Sequence, residues 1–198
     1  VAVVGAGIAG LVCARTLADH GHRVRVFDKS RGPGGRMSTR RAGELRFDHG
    51  AQYFTARDPR FARLVRSWRD DGLVAPWTGA IAVVDHGAIE IKEDATERFV
   101  GVPGMNAVCR HLASDLEVAT GVRVVGLDRD GDRWRLQTTD RELGSFDAIV
   151  VSAPAPQTAA LLGDCAPELG KRAAAVEMAP CWAAMVRFAE PVGLPFDG

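Results

Sequence analysis

The chain has 198 residues, 46% of them hydrophobic and 25% charged, which suits one ordinary globular domain or one and a half. A formal net charge of zero argues against nucleic acid as a partner, and no run approaches the roughly 18 consecutive apolar residues of a membrane span. Cys13, Cys109, Cys165 and Cys181 are widely spaced with no Cys-x-x-Cys pair, the pattern of reduced thiols in a cytoplasmic protein.

Val1–Val4 is a short apolar run, as expected of a strand buried on both faces in a parallel sheet. The next helix carries Leu11, Ala14 and Ala18 on one face, with Gly21 placed to end it. Arg23–Asp28 then reads as a second strand, completing a βαβ unit with a right-handed crossover. A glycine-rich basic loop follows over Lys29–Arg36. Asp58 and Pro59 open a helix whose apolar stripe is Phe61, Leu64, Val65 and Trp68. Ala80–Val84 and Ala88–Ile91 flank Asp85-His86-Gly87 as a hairpin. Pro103 opens a helix with Met105, Val108, Cys109 and Leu112 on one face. Strands are expected at Glu117–Ala119, Arg123–Leu127, Trp134–Thr138 and Phe146–Val151, and at Cys181–Phe188 in a second region. The chain opens inside a strand without an initiator Met and ends in loop-like residues, so it reads as a piece of a longer chain.

Gly5-Ala6-Gly7-Ile8-Ala9-Gly10 fits G-x-G-x-x-G between a strand and a helix. Gly5 permits the tight turn, Gly7 lets a pyrophosphate approach the backbone, and Gly10 permits close helix–strand packing. The helix end beyond it offers free N–H groups and the positive end of a dipole. Asp28 closes the next strand, where a carboxylate accepts ribose hydroxyls and repels a 2′-phosphate, so NADP is disfavoured as the ligand of this motif. The competing account is a structural turn with an exposed Asp. Gly34-Gly35-Arg36 favours FAD over NAD. A flavin dinucleotide running across the sheet would pass a second glycine loop, and a guanidinium there could bind its diphosphate. A solvated basic loop is the alternative. Charge agrees with an anionic ligand: residues 1–66 hold 13 Lys/Arg against 5 Asp/Glu, whereas residues 67–198 hold 12 against 20.

Phe27–Met37 resembles the second FAD segment of the flavin-containing amine oxidase superfamily, and Phe47–Thr55 resembles its segment beside the isoalloxazine ring. Gly101–Ala107, taken with Gly50–Phe54, is similar to the renalase-like branch, especially its bacterial members. Asp147–Pro154 is similar to the superfamily's returning strand. The resemblance implies an FAD/NAD(P)-binding Rossmann-like domain of the glutathione-reductase type, α/β, with a smaller mixed-sheet substrate domain. It implies that Gly5, Gly7 and Gly10 hold the pyrophosphate, Asp28 the ribose and Arg36 a phosphate, with Ile8, Ala9, Lys29, Gly35 and Met37 also among the cofactor-binding residues. Gly50, Ala51, Gln52 and Tyr53 would line the flavin ring, with Ala153 on the returning strand, and a strand residue near Val118 would meet adenine through its backbone. Nothing here matches the superfamily's last flavin-binding segment.

On this resemblance, residues 1–75 and 99–155 would form the FAD domain and 76–98 and 156–198 the start of the substrate domain. The implied reaction passes a hydride from a reduced small molecule, a dihydronicotinamide dinucleotide isomer, to FAD, with O2 as final acceptor giving H2O2. No catalytic acid or base is assigned within these residues. A flavin amine oxidase or desaturase on the same fold, an NAD-dependent dehydrogenase and a non-catalytic dinucleotide-binding module are the rival readings. His49 reads as a loop-packing residue and Trp68 as core. The remaining histidines show no metal-ligand spacing, and no Gly-x-Ser-x-Gly motif is present.

Overall fold

The computed structural model describes residues 1–92 and 96–197. Residues 93–95 and 198 fall in the expected substrate-domain segments and lie outside the described residues. In chain order the elements open with β1 (Ala2–Val4), α1 (Ile8–Asp19), β2 (Arg25–Asp28), β3 (Thr39–Ala42), β4 (Leu45–Asp48), α2 (Pro59–Asp70) and β5 (Val74–Pro76). They continue with β6 (Ala82–Asp85), β7 (Ala88–Ile91), β8 (Phe99–Gly101), α3 (Ala107–Ala113), β9 (Glu117–Thr120) and β10 (Gly126–Asp130). The last are β11 (Arg133–Gln137), β12 (Glu142–Phe146), β13 (Ile149–Val151), α4 (Ala155–Leu162) and α5 (Pro167–Ala174). None of these helices is long and apolar enough to cross a membrane.

The chain divides into two compact units, residues 1–38 with 108–182, and residues 39–107 with 183–198. The first is built on a parallel sheet of order β13-β1-β2-β9, with Val3 in register with Val26 and Val150, and Val26 with Val118. Ala2, Val3 and Val4 are buried because β1 is one of the two inner strands, covered on both faces as its apolar run requires. A meander of β10, β11 and β12 supplies Leu127 and Leu136 to a cluster with Ala2, Val4, Phe27 and Val124. The Phe146 ring meets Phe27 edge-on at 5.9 Å.

The second unit holds the two-stranded ladders β3–β4, β5–β8 and β6–β7, and helix α2. Asp58 caps α2 by accepting the N–H groups of Arg60 and Phe61, and Pro59 occupies the first helical position. Val65 and Trp68 are buried as expected, while Leu64 at the edge of the stripe is 36% exposed. Phe54 bridges Phe99 by a pair of backbone hydrogen bonds, and its ring packs on Phe61 and Phe99.

Segments 39–75 and 99–107 group with the hairpin region, as β5 pairs with β8 and the Asp48 carboxylate accepts the Met105 N–H at 3.1 Å. Expectations for three single elements are corrected. Pro103 does not begin the helix: α3 starts at Ala107, after a turn in which Thr39 and Asp48 accept the Asn106 and Met105 amides. Cys181–Phe188 is irregular. No strand pairs with it among the described residues, and Trp182 is 97% exposed, so neither ladder bonds nor burial fix an extended form. The expected strand at Arg123–Leu127 is displaced to β10, although Val125 still donates to the Gln137 carbonyl at 2.8 Å. Helices α4 and α5 belong to the first unit.

Leu136 is fully buried between the meander and the parallel sheet. Leu136→Ala should lower unfolding free energy by about 2–5 kcal/mol in denaturant titration. A loss below about 1 kcal/mol would mean that the meander does not share the sheet's core.

Candidate functional site

Strand β1 is followed in the chain by a crossover to β2 on one side, while β13 pairs with its other edge. That reversal of strand order leaves a crevice beyond the carboxyl ends, the place where open α/β sheets bind ligands. A cleft of about 560 Å³ occupies it, all of its lining residues belonging to the first unit. This lies within the usual size range of small-molecule sites.

The turn from β1 into α1 forms the floor. Gly5 has φ +113°, and a Cβ there would stand 3.0 Å from the Ser152 carbonyl oxygen. At Gly10 a Cβ would come within 2.0 Å of the Gly5 carbonyl oxygen, so only glycine allows α1 to approach β1. Gly7 is the N-cap of α1 and no side chain caps it, so the first turn of the helix, where Ile8 and Ala9 line the cleft, keeps amides without a side-chain acceptor.

A second glycine turn closes against the first. Gly34 and Gly35 have φ +143° and +55°; the Gly34 N–H bonds the Ala6 carbonyl at 2.9 Å, and a Cβ on Gly35 would stand 3.1 Å from the Gly7 Cα. Arg36 and Met37 follow on a single helical turn and line the cleft. Beneath this loop, the Cys109 thiol points at the Gly34 carbonyl at 3.9 Å, and burial pushes its pKa up to about 12. Burial also pushes the Cys165 thiol up, helped by the nearby carboxylates of Asp128 and Asp164.

Of the residues anticipated, Gly5, Gly7, Ile8 and Ala9 line the cleft, as do Asp28, Lys29, Gly35, Arg36, Met37 and Ala153. Gly10 serves packing instead. Val118 sits on β9 opposite Val26, while the cleft is lined by Val122, Arg123, Val124 and Val125 just beyond that strand. Gly50, Ala51, Gln52 and Tyr53 belong to the second unit, where the Tyr53 ring stacks on Trp77 at 5.4 Å.

Sequence reasoning missed the wall made by Val122–Val125 and by Gln157, Ala160 and Leu161 of α4. Gly121 offered a signal, since it turns the chain after β9 and its N–H bonds the Ser30 carbonyl, as Val122 N–H bonds that of Asp28. These two bonds carry the Val122–Val125 segment to the acidic end of β2. The α4 wall had no comparable motif. The lining residues include one carboxylate, Asp28, and three cations, Lys29, Arg36 and Arg123, a balance that favours an anion. No group of three metal-ligating side chains occurs among the described residues.

A family described as an NAD(P)-binding Rossmann-like domain matches residues 3–77, and one described as flavin containing amine oxidoreductase matches residues 71–196. Renalase of Mus musculus is 28% identical over 176 residues, 83% of this chain and 49% of that protein, so the chain spans about half of its length. A 4,4′-diapophytoene desaturase of Staphylococcus haemolyticus is 48% identical over 50 residues, 25% of this chain and 10% of that protein. A crystal structure from Exiguobacterium sp. 255-15, named a putative protoporphyrinogen oxidase, superposes with a TM-score of 0.65 at 14% identity. It covers 85% of this chain and 62% of its own, and shows the shared fold.

The buried thiol gives a direct check on the packing beneath the second glycine turn. At pH 8 native protein treated with iodoacetamide should be labelled at exposed Cys181 and not at Cys109, as read by peptide mass spectrometry. Rapid native labelling of Cys109 would mean that the Gly34 turn is not seated as described.

Proposed function

The chain belongs to the flavin-containing amine oxidoreductase family, and from that premise we propose that the cleft holds FAD in an oxidoreductase oxidising a reduced small molecule. The observation that carries this reading is the paired glycine turns with Arg36 beside them: space where a Cβ would intrude, helix amides and a guanidinium on one short path. The residues present fit an adenine dinucleotide. Gly7, Ile8 and Ala9 would meet the diphosphate through backbone amides, and Arg36 would neutralise it. Asp28 would accept ribose hydroxyls, and Val122–Val125 would lie along the adenine. Gly50, Ala51, Gln52 and Tyr53 are proposed for the ring end on the resemblance alone.

Bound there, FAD supplies a two-electron acceptor for a hydride from substrate, with O2 as the final acceptor and H2O2 as product. The protein's own contribution is binding and orientation: fixed amides, a fixed charge, and a wall to which Ala160 and Leu161 contribute apolar surface. The renalase-like resemblance, supported by the 28% identity to mouse renalase, points to a dihydronicotinamide dinucleotide isomer as substrate. The desaturase likeness supports the second reading, an amine oxidase or desaturase on the same fold.

Protein reconstituted with FAD should show the flavin visible spectrum, and Arg36→Ala should weaken FAD binding by roughly ten-fold. Anaerobic mixing with dihydronicotinamide isomers should bleach that spectrum, with H2O2 formed on readmitting air. Bleaching by amines alone would establish the second reading instead. No flavin uptake at all would end both.

A further inference from the structure

The Asp28 carboxylate already holds two backbone donors. Its Oδ1 accepts the Ser30 N–H at 2.7 Å, and its Oδ2 accepts the Ala6 N–H at 2.6 Å. The Ser30 bond is a local turn that aspartate commonly makes with the residue two positions on. The Ala6 bond is different, since it reaches across 22 residues from the end of β2 into the middle of the first glycine motif. Ala6 is fully buried, and its carbonyl is engaged as well, by the Gly34 N–H at 2.9 Å. Just before it, the Gly5 N–H bonds the Phe27 carbonyl at 2.8 Å. The residue between Gly5 and Gly7 is therefore tied at both ends, to β2 on one side and to the second glycine turn on the other.

A carboxylate suits this place because both of its oxygens accept. Asparagine has one accepting oxygen, so in either orientation its NH2 group would confront one of two backbone N–H groups. The Ala6 bond is also charge-assisted, hence stronger than a neutral one.

We propose that Asp28 is a positioning residue for the phosphate-binding turn, in addition to any contact with a ribose: its carboxylate fixes the Ala6 peptide and so presents the amides of Gly7, Ile8 and Ala9 to a diphosphate. The ligand's identity here rests on the FAD reading. The distinguishing consequence is that loss of this carboxylate weakens ligands that have no adenosine.

The test titrates wild type and Asp28→Asn with FAD and with FMN, which carries a phosphate and no adenosine ribose, and measures amide hydrogen exchange without ligand. The variant should bind both more weakly, FMN by roughly ten-fold or more, with faster exchange confined to residues 5–9. Weakened FAD binding with unchanged FMN binding would reduce Asp28 to a ribose acceptor and overturn the proposal. Faster exchange spread evenly over β1 and α1 would mark a merely structural role and overturn it too. One arm needs no variant to fold: in wild type the Ala6 amide should be strongly protected, and exchange at an open-loop rate would overturn the tie. The exchange readouts hold whatever the affinity for FMN. Wild type that takes up neither flavin would end the FAD reading, and Ala6 protection would then decide the positioning role by itself.

Discussion

Helix α1 can approach strand β1 only because Gly10 has no side chain; a Cβ there would stand 2.0 Å from the Gly5 carbonyl oxygen. The rest of the site depends on that approach. It aims the open first turn of α1 at the carboxyl ends of the sheet, and it sets Gly5 against the Ser152 carbonyl where β13 ends. The second glycine turn then closes on the first, with Gly34 bonded to Ala6 and Gly35 almost touching Gly7. A cleft results whose floor is backbone and whose charge comes from a few side chains at its rim. Such a floor suits a diphosphate because its donors are fixed before the ligand arrives.

Much of this was readable before any coordinates. The strand–glycine–helix–strand pattern located β1, α1 and β2, because a buried parallel strand and a glycine turn have strong local signatures. Asp28 and the Gly34-Gly35-Arg36 loop were legible for the same reason, since each needs a particular residue at a particular spacing. Segments whose form depends on a distant partner were not. The β3–β4 ladder is largely exposed and carries charged residues, so it lacks the apolar alternation that marks a strand. The β10 strand moved because pairing with β11, not local propensity, sets its register. Cys181–Phe188 has the composition of a strand and no partner among the described residues.

The functional assignment divides in the same way. The features proposed for nucleotide binding lie in one unit, within short motifs. Family membership adds the redox class of the cofactor.

The central claim is that a dinucleotide's phosphates sit between the two glycine turns at the start of α1. Adding FAD to isotopically labelled protein and following backbone amide resonances tests it most directly. The account predicts that the largest shifts fall on Gly7, Ile8, Ala9 and Gly35. Saturable binding that leaves those four amides unmoved, with shifts concentrated elsewhere, would contradict it.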